Sequence, residues 1–324
     1  MAEYRIYKLH FTSPLHIGDA RDGYDVSLKT IQSDAMYAAI ISALAKIGQD
    51  IPKDGDMGFI ISSLFPFYQA SPEVAPVLFF PKPKQQRLPK LQNVADAKKV
   101  KKVKWLDQRY FEKTLQGRPI VETQDDVESV KGDFLTRESV PSEFAVSRVS
   151  QRVSIDRLGT RDANPFYMDR LYFEDYSGLY FLAQGNVNQI EMALNLLRTE
   201  GVGTSRSIGN GQFEWDSGII DIQVPNDTNY AMAMSIYIPE SQTQLQSMTN
   251  GDLIAYDLIR RGGWITTPPH TTIRKNTIYA FAAGSVFSKA DSVSAGAIVD
   301  LAPRINIGHP IWRCGRSLFF PIKL

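Results

Sequence analysis

An α+β fold is what this sequence predicts, on three observations. Across the first 225 residues, apolar runs of strand period and helix period follow one another as strand, helix, strands, helix, strand. The strand pattern restarts after Val224, and a glycine-rich stretch joins the second helix to the strand that follows it.

Residues 4–11, YRIYKLHF, are β-branched and aromatic enough for a strand, and SPLHIGD (13–19) leaves it through a proline and a glycine. After a long loop comes a helix with Ser33 at its N-cap, Met36, Ile40, Leu44 and Ile47 on one apolar face, and Gly48 as its stop. MGFIISSLFPF (57–67) reads as a second helix ending at Pro66, and VLFF (77–80) as a strand entering an insert through PKPK. That insert, with Pro81, Pro83 and Pro89 followed by KKVKKVK, reads as a mobile surface excursion. EFAVSRVSQRVSI (143–155) alternates like a long strand, and LYFED (171–175) with GLYFLAQG (178–185) reads as a hairpin. Ile190, Leu194 and Leu197 at helical spacing make a helix of 186–198, and QFEW (212–215) is strand-like. This is the β-α-β-β-α-β order of a ferredoxin-like, RRM-like fold padded by insertions. After IIDIQV (219–224), residues 231–239, 252–265, 276–287 and 316–322 are strand-like, and SQTQLQSM (241–248) is the one helical candidate. The economical reading is two ferredoxin-like folds. The N-terminal one spans 1–225 and carries an insert at about 82–143 and a hairpin at about 148–173; a degenerate one spans 226–324.

With 324 residues, 43% hydrophobic and 22% charged, the composition is that of an ordinary globular protein long enough for two domains. A formal charge of +1 gives no whole-molecule attraction for a polyanion, but the charge is unevenly spread. From residue 82 to 118 twelve Lys and Arg face three acids; from 119 to 143 seven acids face two cations. Residues 258–290, with Arg260, Arg261, Arg274, Lys275 and Lys289, hold no acid, and neither do the last 24, with Arg304, Arg313, Arg316 and Lys323. Such gathered charge suits a polyanion on one face and proteins elsewhere. Cys314 is the only cysteine, which rules out an internal disulfide and fits a reducing compartment. The longest apolar stretch, residues 36–45, is half the ~20 residues needed to span a bilayer, so the expectation is a cytoplasmic protein without a membrane segment.

The stretch GVGTSRSIGNG (201–211) places four glycines, three hydroxyls and Arg206 in eleven residues. Glycines let backbone N–H groups turn outward, so the stretch suits anionic oxygens; it is equally a flexible helix-to-strand connection. The order helix, loop, strand is the reverse of a phosphate-binding loop, and no Gly-Lys-Ser/Thr ending is present. Residues 148–173 hold Arg148, Arg152, Arg157, Arg161 and Arg170, with Gly159 and Pro165 turning the chain and Phe166 and Tyr167 near the tip. Guanidinium groups grip phosphates and aromatic rings wedge between bases; the alternative is a hairpin whose arginines pair with Asp156, Asp162 and Asp169. GHPIWRCG (308–315) presents His309, Trp312 and Arg313 to a base or a partner, or closes a core turn. His10, His16, His270 and His309 form no pair at metal spacing, and no GxSxG elbow is present. Cys314 lies between two cations that would lower its pKa, yet has no nucleophile partner, and Asp125 and Asp126 sit in an acidic run that reads as a solvated face. Neither a catalytic residue, nor a metal, nor a cofactor is expected.

SPLHIGD ahead of a helix opening SDAMYAAI, the IDRL hairpin, the G-x-G-x-x-R-S-x-G-x-G loop and the terminal GHPIWRCG together resemble the RAMP superfamily of CRISPR proteins. Within it the chain is most similar to the fourth subunit of the type III-A Csm interference complex. The resemblance spans both halves; the glycine loop is common to the superfamily, while SPLHIG and the Gly-His-Pro turn are narrower, and the 82–143 insert matches nothing in it. It implies a non-catalytic subunit of an RNA-guided antiviral ribonucleoprotein. Such a subunit anchors the 5′ repeat-derived handle of the CRISPR RNA, docks on the large polymerase/nuclease subunit and on a backbone RAMP subunit, and has target RNA nearby. By position, Gly201, Gly203, Thr204, Ser205, Arg206, Ser207, Gly209 and Gly211 would hold the handle. Arg152, Ile155, Asp156, Arg157 and Phe166 would form a thumb kinking the RNA where handle meets guide. Ser13, His16, Gly18 and Ser33 would line it on the first fold, and His309 and Arg313 on the second. A second implied class is a metal-independent RAMP endoribonuclease with His16 as its acid or base. Against it, those enzymes carry the glycine loop near the C-terminus, and here more than 110 residues follow Gly211.

Overall fold

The computed structural model describes residues 2–18, 23–85, 93–155, 159, 162–288 and 296–324. In chain order its elements are β1 (Ala2–Phe11), α1 (Ser33–Lys46), β2 (Phe59–Ile61), β3 (Phe65–Tyr68), β4 (Val77–Pro81), α2 (Val94–Lys102), β5 (Trp105–Asp107), α3 (Gln108–Leu115), α4 (Gln124–Glu128), β6 (Val130–Lys131) and β7 (Phe134–Leu135). There follow β8 (Ala145–Ser154), β9 (Asn164–Phe173), β10 (Gly178–Gly185), α5 (Val187–Glu200), β11 (Phe213–Ile222), β12 (Tyr230–Ala233) and α6 (Gln242–Thr249). The chain ends with β13 (Leu258–Arg261), β14 (Ile278–Phe281), β15 (Val286–Ser288), β16 (Ile298–Asp300), β17 (Trp312–Cys314) and β18 (Phe319–Ile322). The architecture is mixed α+β.

Among the described residues, nine strands form one sheet in the order β11, β1, β10, β3, β4, β5, β7, β6, with β2 beside β3 on the same edge of β10. The two-residue period of the strands splits the core between the faces of this sheet. Tyr7 and Leu9 of β1 and Leu179 and Phe181 of β10 meet α1 and α5 through Met36, Ile40, Leu44, Ile190 and Leu194. Tyr4, Ile6, Tyr180 and Leu182 point the other way, against the insert and against Met232 and Phe320 of β12 and β18.

Three sequence expectations change here. The run 57–67 is not a helix but the interrupted strand β2–β3, buried on both faces, and a continuous apolar run carries no period to tell the two apart. At its break Ser62 keeps both contacts with Leu182, donating its N–H to the carbonyl and accepting the Leu182 N–H on Oγ, each at 2.9 Å. Second, β9 pairs with β8 along all ten residues, whereas β10 turns away to lie between β1 and β2–β3, so LYFED and GLYFLAQG do not form a hairpin. Third, the insert is no excursion: β5, β6 and β7 extend the main sheet, and Val100, Leu106, Phe111, Leu115, Val127 and Leu135 join its core. The lysines of KKVKKVK face solvent while Val100 and Val103, three apart, turn inward. Asp126 is likewise buried rather than solvated. It closes a capping box with Thr123 and takes hydrogen bonds from the Tyr110 hydroxyl and Arg137.

Beyond residue 224, β12 lies between β15 and β18, while β13 with β14 and β16 with β17 form two-stranded ribbons. The predicted strand 252–265 reduces to β13, and 276–287 breaks at Gly284 (φ +91°) into β14 and β15. This part is joined to the first 225 residues by one backbone pair and two serine hydroxyls. Ser63 N–H donates to the Met234 carbonyl (2.9 Å), Ile236 N–H to Ser33 Oγ (3.0 Å), and Ser235 Oγ to the Ile61 carbonyl (2.6 Å). Gln32 rather than Ser33 is the N-cap of α1.

Candidate nucleic-acid interface

The glycine stretch is not a loose connection. α5 ends at Gly201 (φ +80°), and the Val202 N–H donates to the Gly211 carbonyl at 2.9 Å, closing the neck of the loop. From there the loop docks on the SPLHIG segment. Thr204 donates both its N–H (2.8 Å) and its hydroxyl (3.1 Å) to the His16 carbonyl, and Gly18 N–H donates back to Thr204 Oγ1 at 3.3 Å. Gly211 N–H reaches the Pro14 carbonyl (2.8 Å) and Gln212 N–H reaches Ser13 Oγ (2.8 Å). Gly203 has φ +86°, and a Cβ there would come within 2.6 Å of the His16 carbonyl oxygen, so only glycine permits this approach. Ser205 (φ +57°) and Gly209 (φ +83°) bracket a short 3₁₀ turn, Arg206–Ile208, with Ser207 and Ile208 exposed.

His16 lies beneath the loop. Its ring is buried, and Nδ1 sits 2.7 Å from the Asp169 carbonyl. A carbonyl only accepts, so Nδ1 holds the proton of a neutral ring; burial lowers the pKa, against an opposing pull from that hydrogen bond. Tyr24 stands 6.1 Å from the His16 ring and 5.5 Å from Phe166, linking the glycine seat to the β8–β9 ribbon. On that ribbon Arg148 and Arg170 lie over the Tyr172 ring at 5.4 and 5.8 Å, with Arg152 on the same face opposite Phe166. The opposite face carries exposed Val149, Val153, Ile155 and Tyr167. The Asp169 carboxylate accepts from the Ser27 N–H and the Ser147 hydroxyl, not from an arginine. Asp156, Arg157 and Arg161 lie outside the described residues.

A crevice of about 810 Å³ runs between α1 and the second half. Five cations line it, Lys46, Lys53, Arg206, Lys275 and Arg313, together with His309, and among the described residues no carboxylate does. Ile41, Ile51, Trp264, Ile265, Ile311 and Trp312 make its apolar walls. Glu200 stands behind it, 2.6 Å from Lys46 and 4.0 Å from Arg206. Deeper, Asp34 is fully buried in the first turn of α1, and Arg261 grips both its oxygens at 2.8 and 2.9 Å. Burial would raise the Asp34 pKa, but Arg261 and Arg313 overcome it and hold the group below the usual carboxylate range. Burial, then Arg313, pulls the Lys275 ammonium down to about 7. Arg274 is exposed and stacks on Trp264, 4.7 Å from the ring. Cys314 is buried behind the same wall, and burial pushes its thiol up to about 12, opposite to the lowering expected from Arg313 and Arg316.

Arg206, Lys275, His309 and Arg313 thus meet in one crevice, and Ser13, His16, Gly18 and Thr204 meet in the seat beside it. Ser33 is elsewhere, buried at the joint with its hydroxyl engaged by Ile236. Lys46, Lys53, Asp34 and Trp264 escaped the sequence reading; the Arg-Arg-Gly-Gly-Trp run and a carboxylate opening a helix were the available signals. Among the described residues no group of three or more His, Cys, Asp or Glu side chains could hold a metal ion.

Residues 226–322 match the family model of the CRISPR Csm4 C-terminal domain. The chain is 25% identical to the CRISPR system Cms protein Csm4 of Mycobacterium tuberculosis, over 98% of this chain and 97% of the relative. It is 24% identical to the Csm4 of Streptococcus thermophilus over 99% of each. Along nearly its whole length the chain is thus similar to Csm4 proteins. Among solved structures, the fold is similar to a chain of a Csm3–Csm4 subcomplex of the type III-A CRISPR-Cas interference complex, with TM-score 0.60, 16% identity and 100% of both chains covered. It is also similar to a chain of a Csm1–Csm4 cassette in complex with pppApA, with TM-score 0.61, 17% identity and 100% of this chain and 99% of the other covered. No helix among the described residues is long and apolar enough to cross a membrane.

Proposed function

We propose that this chain anchors the 5′ repeat-derived end of a CRISPR RNA in a type III-A effector complex, and bridges the large subunit to the backbone filament. The observation that carries the proposal is the glycine loop seated on SPLHIG, with its Arg206 delivered to a crevice lined by five cations and, among the described residues, no carboxylate. Backbone donors, guanidinium groups and exposed rings are what a kinked single strand needs from a protein. The β8–β9 ribbon acts as the thumb, its arginine face toward the RNA and its apolar face toward the turned-out bases. That Csm4 relatives were solved with Csm1 and with Csm3 supports the bridging role. In the same spirit we read the second half, with β12, α6, β15 and β18, as a degenerate copy of the β1, α1, β2, β10, α5, β11 unit. The endoribonuclease alternative is disfavoured by His16, whose ring is buried and holds its Nδ1 proton on a carbonyl.

Purification of the tagged protein from its host, with sequencing of the bound RNA, tests this directly. Short RNAs sharing one repeat-derived 5′ end are expected, and Arg206→Ala lowers their recovery and reduces the salt slope of binding by about one. Random RNA fragments, or none, would refute the anchoring role. Unprocessed precursor accumulating with His16→Ala would instead establish the nuclease.

A further inference from the structure

The crevice has more apparatus than a phosphate grip requires. Phosphates need cations and N–H groups, whereas this cavity of about 810 Å³ has walls of isoleucine and two indoles, the mixture of apolar lining and few polar groups typical of a site for a small organic molecule. Both indoles are held in place. Trp264, 51% exposed, has the Arg274 guanidinium 4.7 Å from its ring, and Trp312 lies so close on Gly55 (φ +74°) that a Cβ there would come within 2.6 Å of the indole. The charge also points to a guest. Asp34 is the carboxylate beside Arg261, Arg313 and Lys275; Arg261 occupies both its oxygens and the Arg313 Nε stands 3.6 Å away, so among the described residues the cations of this wall outnumber its acids.

We propose that this crevice receives one nucleotide of the bound RNA, its base turned out of the strand and stacked on Trp264, its phosphate met by the crevice cations. The proposal rests on the RNA-anchoring reading and adds to it a single-base pocket separate from the glycine seat. Stacking on an aromatic ring is tolerant of sequence, so the pocket selects an unstacked position in the RNA more than a particular base. A free mononucleotide shares this chemistry; the RNA is favoured because Arg206 reaches the crevice from the very loop that would hold the strand.

The test uses the full chain and a series of RNAs matching the repeat-derived 5′ end, each with one abasic nucleotide, read by fluorescence anisotropy. One abasic position is expected to weaken binding to the wild type about tenfold, the scale of one lost stack. In Trp264→Ala, exposed enough to leave the fold intact, intact RNA binds about tenfold more weakly and that same abasic RNA binds no worse than the intact one. Intact RNA binding with no position singled out, or an abasic cost persisting unchanged in Trp264→Ala, overturns the pocket while leaving the RNA reading in place. Adenosine monophosphate binding as tightly as the RNA makes it a mononucleotide site and overturns the proposal as well. No binding of any RNA at low salt removes the RNA reading and the pocket with it.

Discussion

Lys275 brings its ammonium into a wall shared with Arg313 and Arg261, where Asp34 is the offsetting carboxylate. The folded pKa is pulled down to about 7, below that of a lysine in the unfolded chain. Between about pH 7 and 10 the unfolded state therefore holds a proton that the folded state has released, and stability contributed by this residue rises with pH. Lys275→Gln is expected to flatten the rise of the urea midpoint across that window; parallel curves for both proteins would mean the lysine keeps its charge. Three of the five crevice cations were legible in the sequence, because Arg206, Lys275 and Arg313 stand in acid-free stretches. Asp34 and Ser33 were not, because a carboxylate and a hydroxyl opening a helix look the same whether they face water or a second layer of protein.

At the scale of elements, the insert is the largest departure from expectation. Its basic run KKVKKVK hides Val100 and Val103, which turn inward from α2 with Leu106, Tyr110 and Phe111 to cover the rings of Phe65, Phe80 and Tyr180. Phe80 and Phe111 stack face to face at 4.5 Å. Replacing Phe111 by alanine is expected to cost about 3–5 kcal/mol, measured by chemical denaturation, since it opens a cavity against the main sheet. A cost below 1 kcal/mol would return the insert to the status of a surface excursion. The strands β1, β8 and β11 were readable from their β-branched, aromatic or alternating residues, and the helices α1 and α5 because each has one buried face and a clear period. β2 and β3 were not, since burial on both faces erases it, and the β8–β9 pairing was missed because a strand's partner depends on residues far away in sequence.

For the molecule as a whole, Asp34 ties α1 to β13 and β17 through Arg261 and Arg313. Removing one member of a buried ionic cluster leaves the others unmatched, so Asp34→Ala is expected to cost about 3–5 kcal/mol and to weaken RNA binding by loosening the crevice. An unchanged denaturation midpoint would show that the joint stands without it. The joint has a further consequence. Ser63, Ser235 and Ile236 stitch the two halves together by one main-chain pair and two buried serine hydroxyls. A slot between halves so stitched is a mould, not a jaw: its width is set when the chain folds, not when a guest arrives. Ligands that fit it lose little freedom of the protein on entering, and those that do not fit cannot be accommodated by opening it, so discrimination among them falls on how slowly they leave.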